Sequence, residues 1–178
     1  MDSREARQIL STKGWLSLTP APFREAVLAN CELHHFPAGK TVYAQGDQSS
    51  GLWGLVEGAL GVERSGKRQD PRFAFFAAPG FWIGAQTLVL RTERKVGLVA
   101  VRSSDVLHLS SNGFQRIADE NPEAWRWLSV LPLLQNELAF GVLEDLLIRN
   151  STRRCAAMLL RLAGCRGLMV SETPRDIF

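Results

Sequence analysis

Cysteine is scarce in this chain: Cys31, Cys155 and Cys165 are the only three, and they stand far apart. An odd number with no CxxC pair excludes a paired disulfide framework, and one chain cannot supply four thiolates for a zinc or iron–sulfur centre. A reducing cytoplasm is the compartment this implies. Long apolar runs are missing too, since no stretch approaches the roughly 20 residues that cross a bilayer. The opening "MDSREARQIL" alternates charge with apolar residues and has no long apolar run behind it, so it does not read as a secretory leader. The expectation is a soluble cytoplasmic protein with no membrane partner.

Histidine is equally rare, with His34, His35 and His108 the full set. Neighbours on a strand point to opposite faces, so His34 and His35 cannot hold one metal together, and no His-x-His spacing occurs. All three read as strand residues, with a single axial haem ligand the one metal role left open, and no metal site is expected. Ser, His and carboxylate residues are present without any spacing that pairs a nucleophile with a base, so the chain is not expected to be an enzyme.

What is present suffices for one principal core, with a small appendage at most. The formal charge of +3 is mild but uneven: Arg149, Arg153, Arg154, Arg161, Arg166 and Arg175 face only Glu172 and Asp176 in the last stretch. That excess fits a nucleic-acid partner and fits a solvated helix face equally well.

Three kinds of pattern follow one another. From Ser3 to Asn30 apolar residues fall at helical spacing, with Phe23, Val27 and Leu28 on one face and Thr19–Pro20 as a start signal, which predicts short cap helices. From Cys31 to Ser110, Gly and Pro recur every eight to twelve residues or so between short β-branched and aromatic runs. "ELHHF", "KTVYA", "GLWGLV", "ALGVERS", "RFAFFA", "KVGLVAV" and "DVLHL" are the predicted strands, and a mainly β fold, a double-sheet jelly roll, is the predicted architecture. From Ser111 the pattern is helical again. A short helix ends at Pro122, Asn121 caps the next, and that long helix runs through "EAWRWLSVLPLLQNELAFGVLEDLLIRN" with a kink expected at Pro132.

Two rows at four-residue spacing, Leu138, Val142 and Leu146 beside Ala139, Leu143 and Leu147, make one broad apolar stripe on that helix. Packing on its own β domain is one reading. Pairing with its twin in a homodimer is the other, and makes this a long dimerisation helix. A last helix starts at Asn150, Ser151 and Thr152 and stops at Gly164, with Cys155, Met158, Leu159 and Leu162 as its expected buried face. "GLMVSE" follows as a candidate strand. The organisation is then cap helices and β-roll over 1–122, linker helix over 123–149, and a C-terminal segment over 150–178.

This layout, with "FPAGKTVYAQGDQSSGLWGLVEGALGV" inside it, resembles the Crp/Fnr family of bacterial transcription regulators. Gly39, Gly46, Asp47 and Gly58 stand where cyclic-nucleotide-binding domains place theirs, followed by Gly80 and Gly84 in "PGFWIG". Gly46–Asp47 reads as a turn pair and Gly58 as a tight strand-to-strand hairpin. The resemblance covers roughly Phe23 to Leu162 and implies a cyclic-nucleotide-binding-like roll that senses an effector.

It also implies a site. "FWIGAQTLVLRTERKVGLVA" is laid out like a loop that holds a phosphate, and members that bind cyclic AMP carry Gly-Glu-Leu and then Arg-Ser or Arg-Thr there. In them the glutamate holds the ribose 2′-hydroxyl and the arginine neutralises the phosphate. Here Gly84 and Arg94 keep the glycine and arginine, while Ala85, Gln86 and Lys95 replace the glutamate, the leucine and the hydroxyl residue. Thr87 completes the candidate ligand-binding set of Gly84, Ala85, Gln86, Thr87, Arg94 and Lys95. A missing carboxylate acceptor costs on the order of 1.5–3 kcal/mol, about one to two decades in affinity. A cyclic nucleotide, another anionic small molecule held by Arg94 and Lys95, and no ligand at all are the three readings left open.

The family's C-terminal module is a winged helix-turn-helix that reads the major groove as a dimer. "STRRCAAMLLRLAG" resembles its first helix, and no recognition helix follows before Phe178, so DNA is expected as a partner only through a longer parent protein. Arg153, Arg154 and Arg161 are candidate phosphate contacts of a sequence-independent kind. Two other functions stay in play: a non-sensing dimerisation module that keeps the fold, and a jelly-roll metal enzyme of the cupin kind, which the histidine spacing disfavours.

Overall fold

The computed structural model describes residues 1–64, 72–163 and 165–166. The chain forms two compact units, one ending at Leu131 and one starting at Pro132. In the first, α1 (Ser3–Thr12), a 3-10 turn (Trp15–Leu18) and α2 (Ala21–Ala29) precede the strands. The Asp2 carboxylate accepts from the Glu5 N–H at 2.8 Å, which satisfies an otherwise orphan donor of α1. Phe23, Val27 and Leu28 are the buried face of α2, as their spacing predicts.

The strands are β1 (Cys31–Phe36), β2 (Thr41–Tyr43), β3 (Gly51–Glu57), β4 (Leu60–Arg64), β5 (Arg72–Ala77), β6 (Trp82–Ile83), β7 (Gly97–Ala100) and β8 (Ser104–Ser110). They form two four-stranded sheets in the orders β1-β8-β3-β6 and β2-β7-β4-β5. Every pairing is antiparallel, which makes the predicted double-sheet roll. Tyr43, Trp53, Leu55, Leu60, Val62, Leu98, Ala100 and Val106 fill its interior. Six consecutive residues of β3, Gly51 to Val56, are buried, so period-2 alternation is lost on this strand. Trp53 and Leu55 face the roll interior, and α1 and α4 pack against the same strand.

Gly58 does not sit in a hairpin, contrary to the expectation above. It joins β3 to β4, which belong to different sheets, and turns a corner at φ +91°. A Cβ there would stand 2.3 Å from the Ser103 carbonyl oxygen, so the corner needs glycine for space as well as for its backbone angle.

The stretch read as a loop after β6 contains a helix, α3 (Ala85–Leu90), begun by Gly84 at φ +117° and closed by Arg91 at φ +51°. Six residues rich in Thr, Val and Leu carry no helical period long enough to recognise, and the two left-handed ends define the element. α4 (Ser111–Glu120) follows β8, its N-terminus capped by the Ser110 hydroxyl, which accepts from the Gly113 N–H. Asn121 Oδ1 accepts from the Glu123 N–H at 3.1 Å, in the capping role expected of it just ahead of α5 (Ala124–Leu146). Trp15 Nε1 donates to the Trp127 carbonyl at 2.8 Å, and the Trp15 ring meets Trp82 edge-on.

Pro132 lies inside α5, and the helix ends at Leu146, with Leu147 in the turn beyond it. In the second unit α6 (Ser151–Leu162) is capped by Asn150 Oδ1, which accepts from the Arg153 N–H at 2.9 Å. Its expected buried face is not the observed one: Cys155, Leu159 and Leu162 are exposed, Met158 is half-buried, and Ala157 is the helix's buried residue. On the inner side Ala157 is accompanied by Arg161, which donates to Asp145, by Arg154, which donates to the Ile148 carbonyl, and by Met158. The candidate strand "GLMVSE" lies outside the described residues.

Candidate functional site

The backbone of Arg94 is clamped to the β2–β3 turn. Its N–H donates to the Asp47 carbonyl at 2.7 Å, and its carbonyl accepts from the Gly46 N–H at 2.9 Å. Gly46, at φ +95°, and Asp47, whose Oδ2 accepts from the Ala44 N–H at 2.8 Å, form the turn pair their sequence suggests. Its consequence is to hold the arginine.

The side chain of Arg94 is 3% exposed. Nη2 donates to the Gly51 carbonyl at 2.8 Å and to Ser50 Oγ at 3.1 Å, and Nη1 donates to Thr87 Oγ1 at 3.3 Å. The guanidinium carbon lies 4.3 Å over the Tyr43 ring. Nε is buried with no hydrogen-bond partner. All of these acceptors are neutral, and among the described residues Arg94 makes no ion pair. Burial lowers the pKa of Arg94, while Tyr43 and Asp47 pull it back up. Burial pushes Tyr43 up to about 12, so its phenol is neutral and supplies no counter-charge. Taking a cation out of water costs several kcal/mol when no anion meets it, and contact with an aromatic face returns only about 2.

Gly84 belongs to the same seat. A Cβ on it would stand 2.4 Å from the Gly51 carbonyl oxygen and 2.8 Å from Arg94 Nη1. Thr87 Oγ1 donates to the Gly84 carbonyl and lies 3.0 Å from Ser49 Oγ. Of the six candidate ligand-binding residues, Gly84, Ala85, Thr87 and Arg94 are buried, and Gln86 and Lys95 are exposed. Gln86 does not turn inward to replace the carboxylate missing at Ala85.

Spacing alone gave no sign of Tyr43, Trp53, Ser50 and Gly51. The hydroxyl of Tyr43 and Nε1 of Trp53 are buried without partners, and the two rings lie 6.5 Å apart. His108 stacks on Trp53 at 4.0 Å, and His34 lies 5.5 Å from the same ring. His35, on the other face of β1, is exposed and bonds Asp105 Oδ1 at 2.7 Å, so the two neighbours do point apart. Part of the roll interior is therefore aromatic with several unused polar atoms, beside a buried cation.

Residues 33–121, half of the chain, match the family described as the cyclic nucleotide-binding domain. The chain belongs to that family. The cyclic nucleotide-binding domain here is similar to the cAMP-activated global transcriptional regulator CRP of Escherichia coli, at 24% identity over 80% of this chain and 68% of that protein. It is also similar to the Pycsar effector protein XpPycTIR of Xanthomonas perforans, at 29% identity over 57% of this chain and 32% of that one. The fold matches the Thermus thermophilus catabolite activator protein with a TM-score of 0.61 at 21% identity, over 74% of this chain and 63% of that one. This chain thus carries a cyclic nucleotide-binding domain related to CRP-type regulators, and no helix among the described residues is long and apolar enough to cross a membrane.

In the second unit Asp145 is fully buried, accepting from Arg161 Nε at 2.6 Å and Arg166 Nε at 2.8 Å. Arg161 also donates to the Gly141 carbonyl, and Arg154 to the Ile148 carbonyl. Arg153 is exposed, so the three candidate phosphate contacts do not share one free surface. Of the stripe, Leu138 and Val142 are half-buried, while Ala139, Leu143, Leu146 and Leu147 are exposed, as are Leu133 and Phe140.

Proposed function

We propose that the chain is the effector-sensing part of a bacterial Crp/Fnr-type transcription regulator, in which a small anion held at Arg94 sets DNA binding by a dimer. The observation that carries this is the buried guanidinium without a counter-ion: an incoming anion would meet a desolvated cation already oriented by Gly51, Ser50 and Thr87. Cyclic AMP is not the ordinary effector in this reading, because Ala85 leaves a ribose hydroxyl without its carboxylate. Residues 123–149 then link the roll to a DNA-binding module opening at residue 150. Leu133, Phe140, Leu143, Leu146 and Leu147, all more than half exposed, are the surface for a second copy. Replacing Leu143 by Glu leaves a monomer in sedimentation if that surface is the interface.

One observation favours a second reading, a non-sensing dimerisation module. The bonds of Arg94 to β3 and α3 and its stacking on Tyr43 are also what a purely structural arginine would make. Calorimetric titration with cyclic AMP, cyclic GMP and cyclic di-GMP, beside an Arg94→Gln variant of unchanged fold, separates the two. Saturable heat lost in the variant supports sensing, and heat that the substitution leaves untouched removes Arg94 from the account.

A further inference from the structure

A cavity of about 430 Å³ opens between α3, α4 and the β2–β3 loop. Its size falls in the range of small-ligand sites, about 300–1,000 Å³. None of its lining residues belongs to the core cluster of the roll, and the cavity adjoins the Arg94 seat at Thr87, whose Oγ1 accepts from Arg94.

The lining is chemically one-sided. Ser49, Thr87, Thr92 and Ser111 bring hydroxyls, and Gln48, Asn112 and Gln115 bring amides. Among the described residues Arg91 is the one charged residue in the wall, and no carboxylate lines it. Thr92 Oγ1 is buried with no partner, whereas Thr87 Oγ1 is already spent on Gly84 and Arg94, and the Gln115 amide nitrogen on Asp119. Trp125 closes the wall, held edge-on against Phe114 at 5.0 Å with 39% of its surface exposed. Arg91 is the only non-glycine residue at positive φ among those described, a position where glycine is the ordinary occupant. Hydroxyls and amides with one cation and an indole match a ligand that carries several hydroxyls, one anionic group and an apolar face.

We infer that the cleft between α3 and α4 is a second binding site, for a small polyhydroxylated anion of the sugar-phosphate type. Arg91 meets the anionic group, Thr92 and the amides meet the hydroxyls, and Trp125 takes the carbon face.

The test is a ¹H–¹⁵N titration of the full chain with glucose 6-phosphate, with sorbitol and inorganic phosphate as partial probes, in the wild type and in the Arg91→Gln and Arg94→Gln variants. The Trp125 indole signal is identified with Trp125→Phe. Expected are saturable shifts at Trp125 and Thr92 with glucose 6-phosphate, weaker shifts with either partial probe, at least tenfold weaker binding in Arg91→Gln, and retention in Arg94→Gln. Absence of shifts at Trp125 and Thr92, or equal binding by Arg91→Gln, overturns the assignment. Binding lost in Arg94→Gln and kept in Arg91→Gln places the probe in the roll, and overturns it too while leaving the proposed sensing role of Arg94 standing.

Discussion

The guanidinium of Arg94 lies 4.3 Å over the ring of Tyr43, and among the described residues it donates to neutral acceptors and makes no ion pair. A buried cation stacked on a neutral phenol and bonded to neutral acceptors keeps a charge that an anion can neutralise. If that charge serves a nucleotide poorly because of Ala85, restoring the acceptor should reveal it. Ala85→Glu is expected to tighten cyclic AMP binding by about one to two decades, the value of a charge-assisted hydrogen bond. Calorimetry on wild type and variant checks this, with melting temperature as the control for the buried carboxylate.

Gly54 is set by space rather than backbone angle. A Cβ on it would stand 2.4 Å from the ring of Trp82, which is fully buried and packed against Trp15. Gly54→Ala is expected to cost about 1–3 kcal/mol by forcing that ring outward. Urea unfolding measures it, and the near-UV circular dichroism of the tryptophans should change with it.

His108 gives the roll a pH dependence. Burial lowers its pKa, the Ser50 carbonyl that accepts from Nε2 raises it in part, and His34, Glu32 and Arg94 are the other charged or titratable groups that act on it. A histidine with a folded pKa below its unfolded one binds fewer protons when folded, so stability rises with pH through the window below about 6.5. The melting temperature should therefore fall as pH drops from 7 toward 5.5, and the slope should flatten in His108→Gln.

Asp145 holds α5 to α6 within the second unit. Its hydrogen bond from Arg161 keeps its carboxyl below the usual range, opposed by burial and aided by Arg166. A depressed acid contributes stability that is present above the unfolded value near 3.8 and lost as pH falls through the folded one. Asp145→Asn should cost about 3 kcal/mol at neutral pH by stranding two arginines, read as faster hydrogen exchange across α6.

How much of this was legible from residues alone varied with the kind of signal. Glycine punctuation located the strands, since a turn at Gly46–Asp47 or a corner at Gly58 needs local backbone freedom wherever it occurs. Local signals do not say which sheet a strand joins, so Gly58 read as a hairpin when it is a corner. Arg94 and Lys95 looked alike as a basic pair, yet one is buried and the other exposed, because β7 begins just beyond and the Asp47 carbonyl fixes which side chain turns in. The inner face of α6 was read from its leucines, whereas Ala157 is its buried residue and Arg161 meets Asp145, sixteen residues earlier, a pairing with no local signal. Tyr43 and Trp53 carried no sign of their place beside Arg94, since the register that brings them there is set by pairing across the sheets.

The central claim is that Arg94 is a cation held ready for an anion, and the most direct measurement is melting temperature against phosphate concentration. Chloride at matched ionic strength serves as the reference, with wild type and Arg94→Gln run side by side. Binding to the folded state alone raises stability by RT ln(1 + [L]/Kd), so the wild type should gain a saturable increment over chloride that Arg94→Gln lacks. Coincident phosphate curves for the two proteins would contradict it.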